Sequence, residues 1–158
     1  MPETALGMSM LWYAIGLAVM LVFTIARWFG GDDVTMGDVI HGLMLAMARH
    51  VCRADVLMHS GKWEKKALQG TELRGKTLGI YGYGRIGAVV AGYGKAFGMK
   101  VLIWGREGSI ERAKADGFFA ARGKDAFFEE CDVISLHMRL IDATRAIVKA
   151  ADLARMKP

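Results

Sequence analysis

The sequence predicts a single transmembrane α-helix followed by a partial α/β domain with a doubly wound parallel sheet. The helix is indicated by an uncharged, apolar run of 22 residues from Ala5 to Ala26. The α/β domain is indicated by short apolar segments that alternate with helical ones from Lys76 onward, and by a glycine-rich turn after the first of them. Such alternation is typical of parallel sheets with right-handed crossovers.

The apolar run is long enough to span a membrane. As a helix it would be roughly 33 Å long at ~1.5 Å per residue, against a hydrocarbon core of ~30 Å. Trp12, Tyr13 and Trp28 suit the interfacial aromatic belts, and Arg27 ends the run. We therefore expect a single pass through a bacterial inner membrane, with the C-terminal part in the cytoplasm. A cleaved signal peptide fits worse because no Lys or Arg precedes the run, and a buried helix of a soluble protein is the remaining alternative.

Composition and spacing disfavour nucleic-acid and metal binding. The net charge is +5, but the basic residues are spread along the chain rather than clustered. Cys52 and Cys131 have no metal-type spacing and are expected to be free thiols. His41, His50 and His59 are nine residues apart, so on a helix at ~100° per residue successive rings point in opposite directions and cannot meet at one ion.

Hydrophobic periodicity defines the elements of the second part. From Met36 to about Ser60, apolar residues recur at intervals of three and four, which predicts one amphipathic helix. After Lys76 we expect strands over 77–81, 101–104, 118–120 and 133–136, and helices over 85–97, 109–115 and 123–130. In the doubly wound order 3-2-1-4, the fourth strand lies at an edge of the sheet.

A G-x-G-x-x-G motif lies between the first predicted strand and its helix, the context in which it indicates a dinucleotide-binding Rossmann fold. The first glycine permits a tight turn, the second leaves room for a pyrophosphate, and the third lets the helix pack closely on the strand. The helix N-terminus offers N–H groups and a positive dipole to the anion. A glycine-rich turn that packs without a ligand is the alternative. The candidate cofactor-binding residues here are Gly82, Tyr83, Gly84, Arg85, Ile86 and Gly87.

The end of the second predicted strand bears on the choice of cofactor. NAD-selective sites have an acidic residue there, which binds the ribose hydroxyls. This chain has Gly105 at that position, followed by Arg106 and Glu107. Arg106 favours a 2′-phosphate and hence NADP, whereas Glu107 would restore some preference for NAD.

Several motifs follow one another along the chain: Ser60–Trp63, Gly75–Gly87, Cys131–His137, Thr144-Arg145 and Met156–Pro158. Together they resemble the NAD-dependent D-isomer-specific 2-hydroxyacid dehydrogenases of the phosphoglycerate dehydrogenase type. The resemblance covers about residues 36–158. It implies a truncated NAD-binding region behind an unrelated N-terminal helix.

The resemblance also implies roles for particular residues. The contacts that it implies are Gly82, Gly84, Arg85 and Ile86 around the pyrophosphate, and Leu136 and His137 near the nicotinamide side. Where the family usually has proline two residues after this histidine, the chain has Arg139. The family's catalytic Arg, Glu and His follow its Met-Lys-Pro segment, with which this sequence stops, so we expect no catalytic residue. His137 is not a substitute, and the family's substrate domain is expected to be missing.

Four parts are therefore expected. They are an N-terminal segment 1–29 with the membrane helix over 5–27, a linker 30–35, the amphipathic helix 36–61, and a partial dinucleotide-binding domain 62–158.

These expectations favour a non-catalytic, single-pass accessory subunit of a larger membrane complex, such as a respiratory or photosynthetic core. Its partners would be the membrane-embedded complex and the lipid bilayer, both contacted through helix 5–27, and a second copy bound through the dehydrogenase-like part. NAD or NADP would bind weakly or not at all. One alternative is the cofactor-binding part of an NAD(P)-dependent D-2-hydroxyacid dehydrogenase completed by another chain. The other is a membrane-tethered nucleotide sensor.

Overall fold

The computed structural model of the chain describes residues 32–66 and 68–157. The predicted membrane helix over 5–27 lies outside them. Within the two described ranges, no helix combines the length and the apolar composition that crossing a bilayer requires.

Among the described residues, four strands form one parallel sheet. The strands are β1 (Thr77–Tyr81), β2 (Lys100–Trp104), β3 (Phe119–Ala120) and β4 (Val133–Leu136). Their order in the sheet is β3-β2-β1-β4, and each neighbouring pair is parallel. The predicted parallel sheet is therefore confirmed. The register places the last residues of β1, β2 and β4 side by side, so the three strands end at the same edge of the sheet.

Helices cover both faces of this sheet. The described helices are α1 (Asp32–Ala48), α2 (Val51–His59), α3 (Arg85–Ala96), α4 (Glu107–Ala115), α5 (Lys124–Glu130) and α6 (Ala150–Leu153), with a 3₁₀ turn at Asp142–Thr144. Of these, α2 has no buried residue. Alternate strand residues enter two separate buried clusters, as expected for a pleated sheet covered on both sides. One cluster contains Leu78, Ile80, Val101 and Ile103 together with residues of α1, α3 and α4. The other contains Tyr81, Leu102, Phe127, Phe128 and Cys131.

The region predicted as one helix from Met36 to about Ser60 is two helices. The first helix begins at Asp32, within the residues 30–35 that were predicted to be a linker, and ends at Ala48. His50 then adopts a left-handed conformation with φ 53° before α2 begins. The returning chain explains the break, because the backbone N–H of Thr71 donates to the Ala48 carbonyl at 2.6 Å. Hydrophobic periodicity cannot detect such a long-range contact, since the apolar spacing continues on both sides of the break.

The histidines of this region lie in different environments. His41 is buried and packs against the rings of Tyr93 and Phe97, whereas His50 and His59 are exposed. Neither ring nitrogen of His41 has a hydrogen-bond partner among the described residues. Burial lowers the pKa of His41, which favours the neutral ring. Within the described part of the chain, no group of His, Cys, Asp and Glu side chains could hold a metal ion.

Candidate cofactor-binding site

A cleft of about 830 Å³ lies where β1, β2 and β4 end. The chain passes from β1 to β2 on one side and later returns to β4 on the other, and such a switch point is where open α/β sheets bind ligands. Three segments line the cleft: the glycine loop after β1, the start of α4, and the loop after β4. The residues that line it include Gly82, Gly84, Trp104, Gly105, Arg106, Ser109, Arg112, His137, Met138, Arg139 and Thr144.

The three glycines of the loop meet three different requirements. Gly82 has φ +99°, and a Cβ there would lie 2.9 Å from the carbonyl oxygen of His137. Gly87 allows α3 to approach the loop, since its Cβ would lie 2.5 Å from the Gly82 carbonyl oxygen. A Cβ on Gly84 would meet nothing within 4 Å, and no side chain caps the helix that begins after it. Open space in front of uncapped helix N–H groups fits a pyrophosphate.

The other predicted loop residues do not present their side chains to the cleft. Tyr83 is buried, and its hydroxyl donates to Asp116 Oδ2 at 2.7 Å. Burial, reinforced by that carboxylate, raises the pKa of Tyr83. Ile86 packs against the core cluster, and Arg85 is exposed at the first position of α3. Tyr83, Arg85 and Ile86 would therefore contribute to a cofactor site through their backbone groups. Their predicted roles in cofactor binding stay predictions.

The side of the cleft formed by β2 and α4, here called the β2 flank, is basic. Arg106 precedes the first residue of α4, and Ser109 and Arg112 follow at intervals of three. The Arg112 Nη2 donates to the Tyr83 carbonyl oxygen at 3.0 Å and to Ser109 Oγ at 3.4 Å. Glu107 is not among the residues that line the cleft.

Sequence reasoning identified Arg106 but missed Ser109 and Arg112. The missed signal was their spacing, because residues three apart on a helix share a face.

The opposite side, here called the β4 flank, comprises residues 137–147. The His137 N–H donates to the Tyr81 carbonyl oxygen at 2.9 Å, which continues the pairing of β4 with β1. The His137 Nε2 is buried without a hydrogen-bond partner in the described residues, and burial lowers the pKa of this histidine. Leu136 is 53% exposed and does not line the cleft, so its predicted position near a nicotinamide stays a prediction.

Comparison with known proteins identifies this arrangement. Residues 41–158 match the family model described as D-isomer specific 2-hydroxyacid dehydrogenase, NAD binding domain. The chain belongs to this family. The match supports NAD(P) as the cofactor, in agreement with the glycine loop and the open space at Gly84.

Similar proteins include a hydroxypyruvate reductase of Thermotoga maritima, which is 43% identical over 81% of this chain and 40% of its own length. A D-3-phosphoglycerate dehydrogenase of Synechocystis is 39% identical over 81% of this chain and 23% of its own length. The crystal structure of a phosphoglycerate oxidoreductase from Vibrio cholerae matches 77% of this chain and 39% of its own length, with a TM-score of 0.74 and 43% identity. This chain thus spans about two fifths or less of the length of these relatives.

The favoured interpretation of the sequence, a non-catalytic membrane accessory subunit, is wrong. About four fifths of the chain aligns with dehydrogenases and reductases, and the fold and glycine loop are those of their NAD binding domain. The apolar run at 5–27 is much shorter than the region 41–158 that matches the family and contains its motifs in order. The predicted partners and the membrane location stay predictions.

Proposed function

We propose that this chain is the cofactor-binding part of an NAD(P)-dependent dehydrogenase or reductase of small 2-hydroxy or 2-oxo acids. The observation that carries the proposal is the glycine loop at the switch point, with open space at Gly84 in front of an uncapped helix N-terminus. The bound nicotinamide would accept or supply the hydride. The names of the similar enzymes, hydroxypyruvate reductase and D-3-phosphoglycerate dehydrogenase, favour a small acid as substrate.

In this proposal the described residues bind and orient the cofactor. We assign no described residue as the catalytic acid or base. His137 lines the cleft, but no carboxylate that would orient it as a base is placed against it among the described contacts. Among the described strands, β4 pairs with β1 alone and leaves its other edge open to a completing strand.

NADP is the proposed preference over NAD. Within the described residues, the cleft lining contains three arginines and no carboxylate. Arg106 and Arg112 lie on the flank where the adenosine ribose is expected, and Ser109 adds a hydroxyl between them. A 2′-phosphate would be matched by these donors, whereas a free 2′-hydroxyl would lack the acidic partner that NAD-selective sites provide.

Calorimetric titration of the purified chain with NADPH and NADH tests both the proposed cofactor binding and the proposed preference for NADP. We expect both to bind, with NADPH tighter by about tenfold, the order of magnitude of one charge-assisted interaction. Arg106→Gln should abolish most of that difference. The matched control is Arg122→Gln, since Arg122 is exposed and does not line the cleft.

The outcomes separate the two parts of the proposal. If neither nucleotide binds, the cofactor-binding function is overturned. If both bind equally, only the NADP preference is overturned.

A further inference from the structure

Arg139 is a third arginine of the cleft that the proposed binding of a 2′-phosphate does not use. Arg106 and Arg112 lie on the β2 flank, whereas Arg139 lies across the cleft on the β4 flank. Its guanidinium makes no ion pair or hydrogen bond with any described residue. A charged side chain that lines a cleft and has no partner among the described residues is available to a ligand.

The backbone places Arg139 close to the phosphate-binding loop. A Cβ built on Gly82 would lie 2.9 Å from the His137 carbonyl oxygen and 3.1 Å from Met138 Cγ. The two residues before Arg139 therefore lie against the first glycine of the loop. The cleft thus has a cation on each side of the position expected for the pyrophosphate.

Hydrogen bonds hold this segment in place. The Thr144 hydroxyl donates to the Arg139 carbonyl oxygen at 2.5 Å, and the same oxygen atom of Thr144 accepts from the Ile141 N–H at 2.9 Å. The Arg145 N–H donates to the Ile141 carbonyl oxygen at 2.8 Å. The loop after β4 is therefore closed on itself, and the position from which the Arg139 side chain reaches into the cleft is fixed.

We propose that Arg139 binds an anionic oxygen group of the ligand on the β4 flank. This inference rests on the proposed cofactor-binding function. By the order of the strands, β2 is the adenosine side and β4 the nicotinamide side. Two groups of the required chemistry would lie beside the β4 flank: the pyrophosphate of the cofactor, at the glycine loop, and the carboxylate of the acid substrate. A guanidinium binds either one through paired N–H donors.

Calorimetry with three probes distinguishes these sources. The first, 2′,5′-ADP, has the adenosine and its phosphates but no pyrophosphate. The second, 2′-phospho-ADP-ribose, has the pyrophosphate but no nicotinamide. The third is oxamate, a stable analogue of a 2-oxo acid, added in the presence of saturating NADPH. Each is titrated into the wild-type chain, Arg139→Gln and Arg139→Lys.

We expect Arg139→Gln to leave the affinity for 2′,5′-ADP within about twofold of wild type. The same substitution should lower the affinity for one of the other two probes by about tenfold or more, as expected for a lost bond to a charged group. Loss for 2′-phospho-ADP-ribose assigns Arg139 to the pyrophosphate, and loss for oxamate alone assigns it to the substrate carboxylate. Arg139→Lys should retain part of the affinity, since it keeps the charge but not the paired donors.

Arg145→Gln is the matched control, because Arg145 is exposed in the same loop and does not line the cleft. Equal affinities of Arg139→Gln and Arg145→Gln for all three probes would overturn the role of Arg139. That result leaves the proposed function standing if the wild-type chain binds the probes. Failure of the wild-type chain to bind any of them would overturn both.

Discussion

The two flanks of the cleft are built differently although they serve one ligand. On the β2 flank, Arg106, Ser109 and Arg112 come from the start of a regular helix, so their common face follows from helical geometry. On the β4 flank, residues 137–147 form an irregular loop whose shape depends on the hydrogen bonds of Thr144. A helical flank can therefore be recognised from sequence spacing, whereas the loop flank becomes apparent only once the chain is folded.

The substitution Gly82→Ala should affect both flanks and have the largest effect. Gly82 has φ +99°, a conformation that alanine rarely adopts, and the added Cβ would lie 2.9 Å from the His137 carbonyl oxygen. We expect a loss of about 1–3 kcal/mol in the free energy of unfolding. Binding of NADPH and NADH should weaken by at least about tenfold, because both the loop and the β4 flank are displaced.

Chemical denaturation and calorimetry measure these two effects. The control is Gly92→Ala, since an added Cβ at that exposed position of α3 meets nothing within 4 Å. It should stabilise the helix slightly, as alanine does in place of glycine. Unchanged binding by the Gly82 variant would mean that the loop is not where the cofactor lies.

The same contrast explains how much was predictable from sequence. The four strands, the parallel sheet, the tight turn at Gly82 and the close approach at Gly87 followed from local patterns: apolar runs, alternation and the G-x-G-x-x-G motif. The break at His50 could not be predicted in this way, because it depends on the hydrogen bond from the Thr71 N–H to the Ala48 carbonyl oxygen. The bond from Arg112 to the Tyr83 carbonyl joins residues 29 apart, so no local pattern contains it.

Arg112→Gln should weaken ligand binding on the β2 flank alone, and its effect should be the next largest. The guanidinium both lines the cleft and donates to the Tyr83 carbonyl oxygen, so its loss removes a cation and loosens the glycine loop. We expect binding of 2′,5′-ADP to weaken by about tenfold, measured by calorimetry. Binding of oxamate to the NADPH-saturated chain should change little. Arg122→Gln again serves as the control, and equal effects of the two variants would contradict the proposed role of Arg112.

Thr144→Val should loosen the β4 flank alone, with a smaller effect. The variant keeps the shape of the side chain but loses the hydroxyl that bonds to Arg139 and Ile141. A lost hydrogen bond of this kind costs about 1 kcal/mol in the stability of the folded loop. A ligand that needs the ordered loop loses up to that free energy, which is roughly fivefold in affinity. We expect that loss for the probe that contacts Arg139 and none for 2′,5′-ADP.

Amide hydrogen exchange provides a second measurement, since protection should fall in residues 138–147 and nowhere on the β2 flank. Thr71→Val is the control, because no described hydrogen bond involves the hydroxyl of this exposed threonine. Unchanged protection of residues 138–147 would show that Thr144 does not hold the loop.

His41 lies away from both flanks. Its substitution should therefore change the stability of the fold without changing ligand binding. Its buried ring has no hydrogen-bond partner among the described residues, and burial lowers its pKa below the value of 6.5 that it has when unfolded. As the pH falls through 6.5, the unfolded chain takes up a proton more readily than the folded chain, so stability is lost in this direction. His41→Phe should therefore reduce the fall in the unfolding midpoint between pH 7.5 and pH 5.5.

Part of the fall in the unfolding midpoint should remain in the His41 variant, because burial also lowers the pKa of His137. Thermal melts at the two pH values, with and without 2′,5′-ADP, separate stability from binding. Should His41→Phe retain the full pH dependence, the buried ring would not be the group that titrates. Should it weaken binding of 2′,5′-ADP, the contact between α1 and α3 would extend to the cleft, and the two flanks would no longer account for the site.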